Sequence, residues 1–198
     1  MTDQTRDPSH VCLSRRGRRA VIKAGIGLGI GWGVAPRLTW GQADRASARP
    51  KEGDLLVNVG EPTRPLTPDD IRVGAIQTMA WAMDPVDQVV RSGTRLNRVL
   101  LVRFDVTTLT PETRSRAAEG VVAYTAICTH NGCEVEEWLA DEQLLSCPCH
   151  FARFNPRDGA RVVDGPAPRT LPALPLKVVD GTLVVAGSFT TPVGFEPA

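Results

Sequence analysis

Beyond residue 52 the apolar positions fall in short runs, each closed by Gly, Pro, Asn or Asp. Asp54–Val59 and Ile71–Thr78 carry the apolar, β-branched character of short strands. Arg95–Asp105 and Gly120–Cys128 are rich in Val, Leu and Tyr and read as core strands. Val178-Val179-Asp180-Gly181-Thr182-Leu183 predicts a hairpin, because Asp-Gly accepts the positive φ angles of a tight turn. Asn155-Pro156-Arg157-Asp158-Gly159 predicts a second turn. Helical signals are brief: Thr67-Pro68-Asp69-Asp70 and Thr110-Pro111-Glu112 each place a Thr cap before a Pro and acids, the second opening a turn to about Ala118. Asp44–Glu52 is polar and reads as a linker. The pattern is that of a small all-β antiparallel β-sandwich.

Composition agrees. With 198 residues, 18 Gly, 16 Pro and 42% hydrophobic positions, the chain suits one globular domain plus a short extension, residues 44–198 and 1–43. The net charge of +1 conceals an asymmetry. Residues 1–43 hold seven Lys/Arg against two Asp, leaving 16 basic and 20 acidic side chains in the remainder. An acidic body lacks the basic footprint that nucleic acid requires.

The basic surplus gathers at Arg15, Arg16, Arg18, Arg19 and Lys23, ahead of the Gly-rich apolar run Ala24–Pro36. Charged region, apolar region and small residues at Gly41-Gln42-Ala43 form the layout of an export signal. Arg18-Arg19-Ala20-Val21-Ile22-Lys23 resembles the twin-arginine motif, with Val where Phe is preferred. The resemblance implies transport to the periplasmic side of a bacterial inner membrane, with cleavage after Ala43. The alternative is a retained membrane anchor, for which 13 residues between Lys23 and Arg37 are short of the ~20 a spanning helix needs.

The chemistry is concentrated in two boxes. Every Cys and His beyond residue 12 lies in Cys128-Thr129-His130-Asn131-Gly132-Cys133 or Cys147-Pro148-Cys149-His150. Four Cys and two His are one pair more than a four-ligand metal site uses. One Cys and one His from each box would hold a two-iron, two-sulfur centre, with a cysteine pair left to join the loops. A structural zinc site takes four ligands and gives no role to that pair. An oxygenase would need a second iron on two His and a carboxylate, and only His10 remains.

The boxes, their 13-residue spacing and the later Gly165-Pro166-Ala167-Pro168 together resemble the Rieske iron–sulfur family over about Gly120–Gly187. The resemblance implies a small antiparallel β-sandwich with a cluster-binding subdomain of two loops. It implies that Cys128 and Cys147 bind one iron of a [2Fe-2S] cluster as thiolates, and His130 and His150 the outer iron. It pairs Cys133 with Cys149 in a disulfide and lays Gly165, Pro166, Ala167 and Pro168 over a third side. Two thiolates instead of four leave the oxidised centre neutral, which eases uptake of an electron and raises the potential.

Departures from the family pattern bear on the partner. Cytochrome bc-type members usually continue box two with Gly-Ser-x-Tyr, whose hydroxyls bond cluster sulfurs; here stand Phe151, Ala152, Arg153 and Phe154. Losing both hydroxyls lowers the expected potential within the family range. Asn131 replaces the apolar tip residue common in quinol-oxidising members, and Phe151 adds bulk beside His150. His-Phe-x-x-Phe resembles the small subunit of arsenite oxidase, a periplasmic molybdenum enzyme. The expectation is a one-electron carrier, the electron-transfer subunit of a periplasmic or membrane-bound oxidoreductase. Its partners would be a larger redox subunit, molybdenum oxidoreductase-like or cytochrome b-like, and a cytochrome c-type acceptor. The alternative is the Rieske subunit of a quinol-oxidising cytochrome bc-type complex. A disulfide-linked binding module without iron is the third reading.

Overall fold

The computed structural model describes residues 39–195. The export or anchor reading of residues 1–43 therefore lies outside the described residues, save for the last five. Among the described residues no helix is long and apolar enough to cross a membrane.

Among the described residues ten strands form two antiparallel sheets. The base sheet contains β1 (Leu55–Asn58), β2 (Thr78–Met83), β3 (Val99–Arg103), β4 (Val121–Thr125), β9 (Leu176–Val179) and β10 (Thr182–Val185), in the order β4-β3-β2-β1-β10-β9. Between β4 and β9 the chain leaves this sheet to build a second one, β5 (Glu137–Leu139), β6 (Leu144–Cys147), β7 (Ala152–Asn155) and β8 (Arg161–Asp164). The all-β expectation holds.

Side-chain alternation decides which sheet face meets which core. Leu100 and Val102 of β3, with Val122 and Tyr124 of β4, face the second sheet and pack with Leu145, Phe154 and both Cys128 and Cys147. Their neighbours Val99, Leu101, Val121 and Ala123 face a second core with Leu56, Leu174 and Leu183. One sheet thus separates two cores, which explains why its strands are apolar on both faces. The site is rooted in the first.

Both Thr-Pro signals are realised. Thr67 caps the 3-10 turn Pro68–Asp70 in a capping box, and Thr110 caps α2 (Pro111–Ser115) through the Thr113 amide. Asp180 and Gly181 take positive φ angles in the β9–β10 turn. Two sequence expectations need correction. Ile71–Thr78 is not a continuous strand: Val73 makes a single parallel bridge to Arg103, Gly74 turns the chain at φ +68°, Ile76 is 66% exposed, and ladder pairing begins at Thr78. Local β propensity there yields that one bridge, with the Gly74 amide on the Arg103 carbonyl (2.8 Å), and the turn at Gly74 stops it from growing into a ladder.

Asp44–Glu52 is not a free linker. α1 (Thr39–Ser47) reaches into it, and its end is fastened to the body. The Gly93 amide donates to the Ala46 carbonyl (2.9 Å) and Asn97 Nδ2 to the Ala48 carbonyl (2.7 Å). A methyl group on Gly93 would fall 2.5 Å from Ser47 Oγ, so only glycine admits this approach. Next to it, Arg91 makes a two-point contact with Asp54 (2.5 and 2.9 Å) and a third with Asp84 (3.2 Å). Polar composition alone gave no sign that these residues were spoken for.

Candidate metal centre

The two boxes are the same device built twice. Box one is a four-residue loop between Cys128 and Cys133, where the Gly132 amide bonds the Cys128 carbonyl (3.0 Å) and the Cys128 amide the Cys133 carbonyl (2.8 Å). Box two is a four-residue loop between paired Cys147 and Ala152, where the Phe151 amide bonds the Cys147 carbonyl (2.9 Å). In each, the last loop residue is left-handed: Gly132 at φ +73° and Phe151 at φ +56°. Glycine does this freely; a phenylalanine there is strained.

Pairing of the loops' cysteines leaves four side chains of metal-binding type. Cys133 and Cys149 are joined by a disulfide, and the Cys147 sulfur lies within 4.8 Å of both of theirs. Cys128 and Cys147 remain free thiols and are buried. His130 and His150 meet edge to face, their ring centroids 4.6 Å apart. His150 is exposed and His130 partly buried, with its Nδ1 buried and, among the described residues, lacking a hydrogen-bond partner. A buried imidazole nitrogen without a partner is costly unless something else takes its lone pair or proton.

Burial pushes the Cys128 thiol up to about 11, against the pull of the His130 amide, while the Cys147 thiol beside it adds to the rise. A buried thiol that resists ionisation in this way becomes a thiolate only when a cation takes the place of its proton. Two soft sulfurs beside two imidazoles is a donor set for iron, zinc or copper. The residues present thus fit a metal centre.

The third loop closes over them. Gly165, at φ +86°, lies so near Ala152 that a methyl group on it would come within 2.5 Å of Ala152 Cα. Ala167 is buried in the core with Cys128 and Cys147, whereas Gly165, Pro166 and Pro168 are exposed. Ala152 and Phe154 are fully buried on β7, while Phe151 is 67% exposed and Asn131 is exposed at the box-one tip. The Thr129 hydroxyl bonds the Arg169 carbonyl (2.7 Å), tying box one to the third loop.

The acidic stretch between the boxes is largely engaged within the fold. Glu134 pairs with Arg98, Glu142 with Arg153 (3.6 Å), and Glu137 accepts from Ser146 Oγ (3.0 Å). Trp138 packs on Phe104, ring centroids 6.3 Å apart, as an anchor under the loops. Sequence reading missed Arg95, whose Nη1 donates to the Gly132 carbonyl (2.5 Å), and the carboxy-terminal Phe195, which lies against Gly132. Nothing in the spacing of the boxes could have pointed to either.

Comparison with known proteins agrees with this geometry. Residues 87–175 match the Rieske [2Fe-2S] domain. The chain is 34% identical over 146 residues to the cytochrome bc1 complex Rieske iron–sulfur subunit of Streptomyces lividans, covering 72% of this chain and 85% of that one. It is 49% identical over 76 residues to a putative respiratory nitrate reductase Rieske subunit of Haloferax mediterranei, covering 38% of this chain and 34% of that one. It spans less than half the length of several other relatives. Among solved structures, the soluble domain of Rieske protein II from Sulfolobus acidocaldarius aligns with a TM-score of 0.39 at 24% identity, covering 50% of this chain and 65% of that one.

Proposed function

The chain belongs to the Rieske iron–sulfur family, and from that premise we propose that it is the electron-transfer subunit of a respiratory or periplasmic oxidoreductase, with Cys128 and Cys147 as thiolate ligands and His130 and His150 as imidazole ligands. The observation that carries the reading is the unpartnered, buried His130 Nδ1 beside two buried free thiols. When bound, a [2Fe-2S] cluster on two Cys and two His supplies reversible one-electron transfer at roughly −150 to +300 mV.

The protein's own residues make that transfer directional. Cys128 and Cys147 stand in the core, away from water, while His150 stands at the surface. The exposed imidazole is the short way out for an electron. The Cys133–Cys149 disulfide holds the two hairpin loops together, and Gly165 and Ala167 bring the third loop onto them. Rigid loops keep the ligands in one geometry in both oxidation states, so little reorganisation opposes transfer.

We assign the electron acceptor to a c-type cytochrome and the donor to a larger redox subunit. The relatives support a respiratory complex, being named as subunits of a cytochrome bc1 complex and of a nitrate reductase. The Streptomyces lividans relative favours a second reading, the quinol-oxidising subunit. Exposed Asn131 and Phe151 at the loop tips favour the first, since they alter the surface a quinol would meet. The resemblance of Arg18–Lys23 to the twin-arginine motif supports assigning the domain to the periplasmic side, with residues 1–43 cleaved or kept as an anchor.

Electron paramagnetic resonance of the dithionite-reduced protein, with iron and sulfide analysis, tests the centre. A Rieske signal with two irons per chain is expected, and lost in Cys128→Ser. A colourless, zinc-containing protein overturns the assignment. Reduction by a quinol analogue in the native complex would select the second reading over the first.

A further inference from the structure

The last described stretch of the chain does not leave the body after β10. Thr190 exchanges two hydrogen bonds with Ala173, one through its amide (2.9 Å) and one through its hydroxyl (3.0 Å). Beyond it, Arg169 holds three points in succession: Nη1 donates to Thr191 Oγ1 (3.3 Å), and Nη2 to the carbonyls of Pro192 (2.9 Å) and Gly194 (2.7 Å). Among the described residues Arg169 makes no ion pair, so its guanidinium is committed to this segment. Gly194 is buried near Leu96, and Phe195 then lies against Gly132 of box one. A methyl group on Gly132 would meet the Phe195 ring at 3.1 Å.

Arg169 works from a fixed post. It follows directly on Pro168 of the third loop, and its own carbonyl accepts the hydroxyl of Thr129 in box one. A single residue therefore links the third loop, box one and the carboxy-terminal segment. Gly132 is held from a second direction by Arg95. Among the described residues box two has no such cover: His150 and Phe151 are exposed.

We propose that residues 188–195 form a strap over the box-one flank of the cluster site, with Arg169 as its positioning residue, so that solvent and small redox reagents reach the centre from the His150 side. This rests on the cluster assignment above. A charged side chain spent on backbone carbonyls fixes an otherwise short, non-repetitive segment. The segment in turn places an apolar ring where the box-one loop would meet water.

The test uses the full-length protein with its centre loaded. Amide hydrogen exchange of Thr129–Gly132 reads the fastening, and the second-order rate of reduction by dithionite reads access. Arg169→Ala and Phe195→Ala are each expected to speed both severalfold, with Arg169→Lys intermediate. Faster exchange with an unchanged reduction rate overturns the role in access, and unchanged values for both overturn the strap. Should Arg169→Ala fail to hold iron, Phe195→Ala decides, since that half-exposed ring can be removed without touching Arg169. Wild-type protein without iron refutes the cluster assignment alone, because the exchange comparison still reads the strap.

Discussion

Phe151 holds a left-handed backbone angle, φ +56°, with its ring 67% exposed beside His150. Gly132 meets the same requirement in box one without strain. Phe151→Gly should therefore stabilise the protein by about 0.5–1 kcal/mol, the relief of strain outweighing glycine's larger unfolded-state entropy. Urea unfolding of the oxidised protein reads the difference. Ala152 and Phe154 alternate inward on β7 into the core that contains both free thiols. Ala152→Ser with Phe154→Tyr should raise the potential, because hydroxyl donors near the sulfurs favour the extra negative charge. A new bond is worth about 1–2 kcal/mol, or roughly 40–90 mV for one electron. Voltammetry of the double variant checks it, and an unchanged potential would show that the hydroxyls do not reach.

At the scale of elements, the hairpin loops and their cover were readable in part. Asp180-Gly181 and the Thr-Pro caps formed where their local chemistry directed, because turns and caps depend on few residues. Ile71–Thr78 misled because strand propensity does not register that Gly74 turns the chain after a single bridge to β3. The third loop depends on contact at a distance. Gly165→Ala should weaken the loop by about 2 kcal/mol or more, as the positive φ and the overlap with the Ala152 backbone both oppose a methyl group. Thermal unfolding would report it, with loss of iron at lower temperature. Beside the fastening of α1, where Arg91 Nη1 also reaches the Arg45 carbonyl (3.3 Å), lies a buried ion pair, Arg91 at 5% and Asp54 at 0% side-chain exposure. Arg91→Ala leaves Asp54 buried and unpaired, at a cost of about 3–5 kcal/mol read from the urea midpoint.

Across the whole molecule, carboxylates tie loop segments to one another. Hydrogen bonding to the Val86 amide, and then to Lys51, holds Asp84 down to about 2, and Arg64, then the Thr67 amide, holds Asp70 well below the usual carboxylate range. Both pKa values are lowered by folding, so their stabilisation is complete above about pH 4 and is lost as acid approaches pH 2. The urea midpoint should fall through that window, whereas Asp84→Asn with Asp70→Asn should flatten the slope. The sequence by itself determined the β class, the capped turns and the two Cys/His boxes with their spacing, because each rests on near neighbours and on residue chemistry. It could not show α1 fastened through Gly93 and Asn97, Arg95 and Phe195 meeting at Gly132, or Glu134 already engaged by Arg98. Those contacts join residues tens of positions apart. Only the return of the chain from the second sheet to β9 and β10 sets the carboxy-terminal segment beside box one, and no local pattern of residues records that distance.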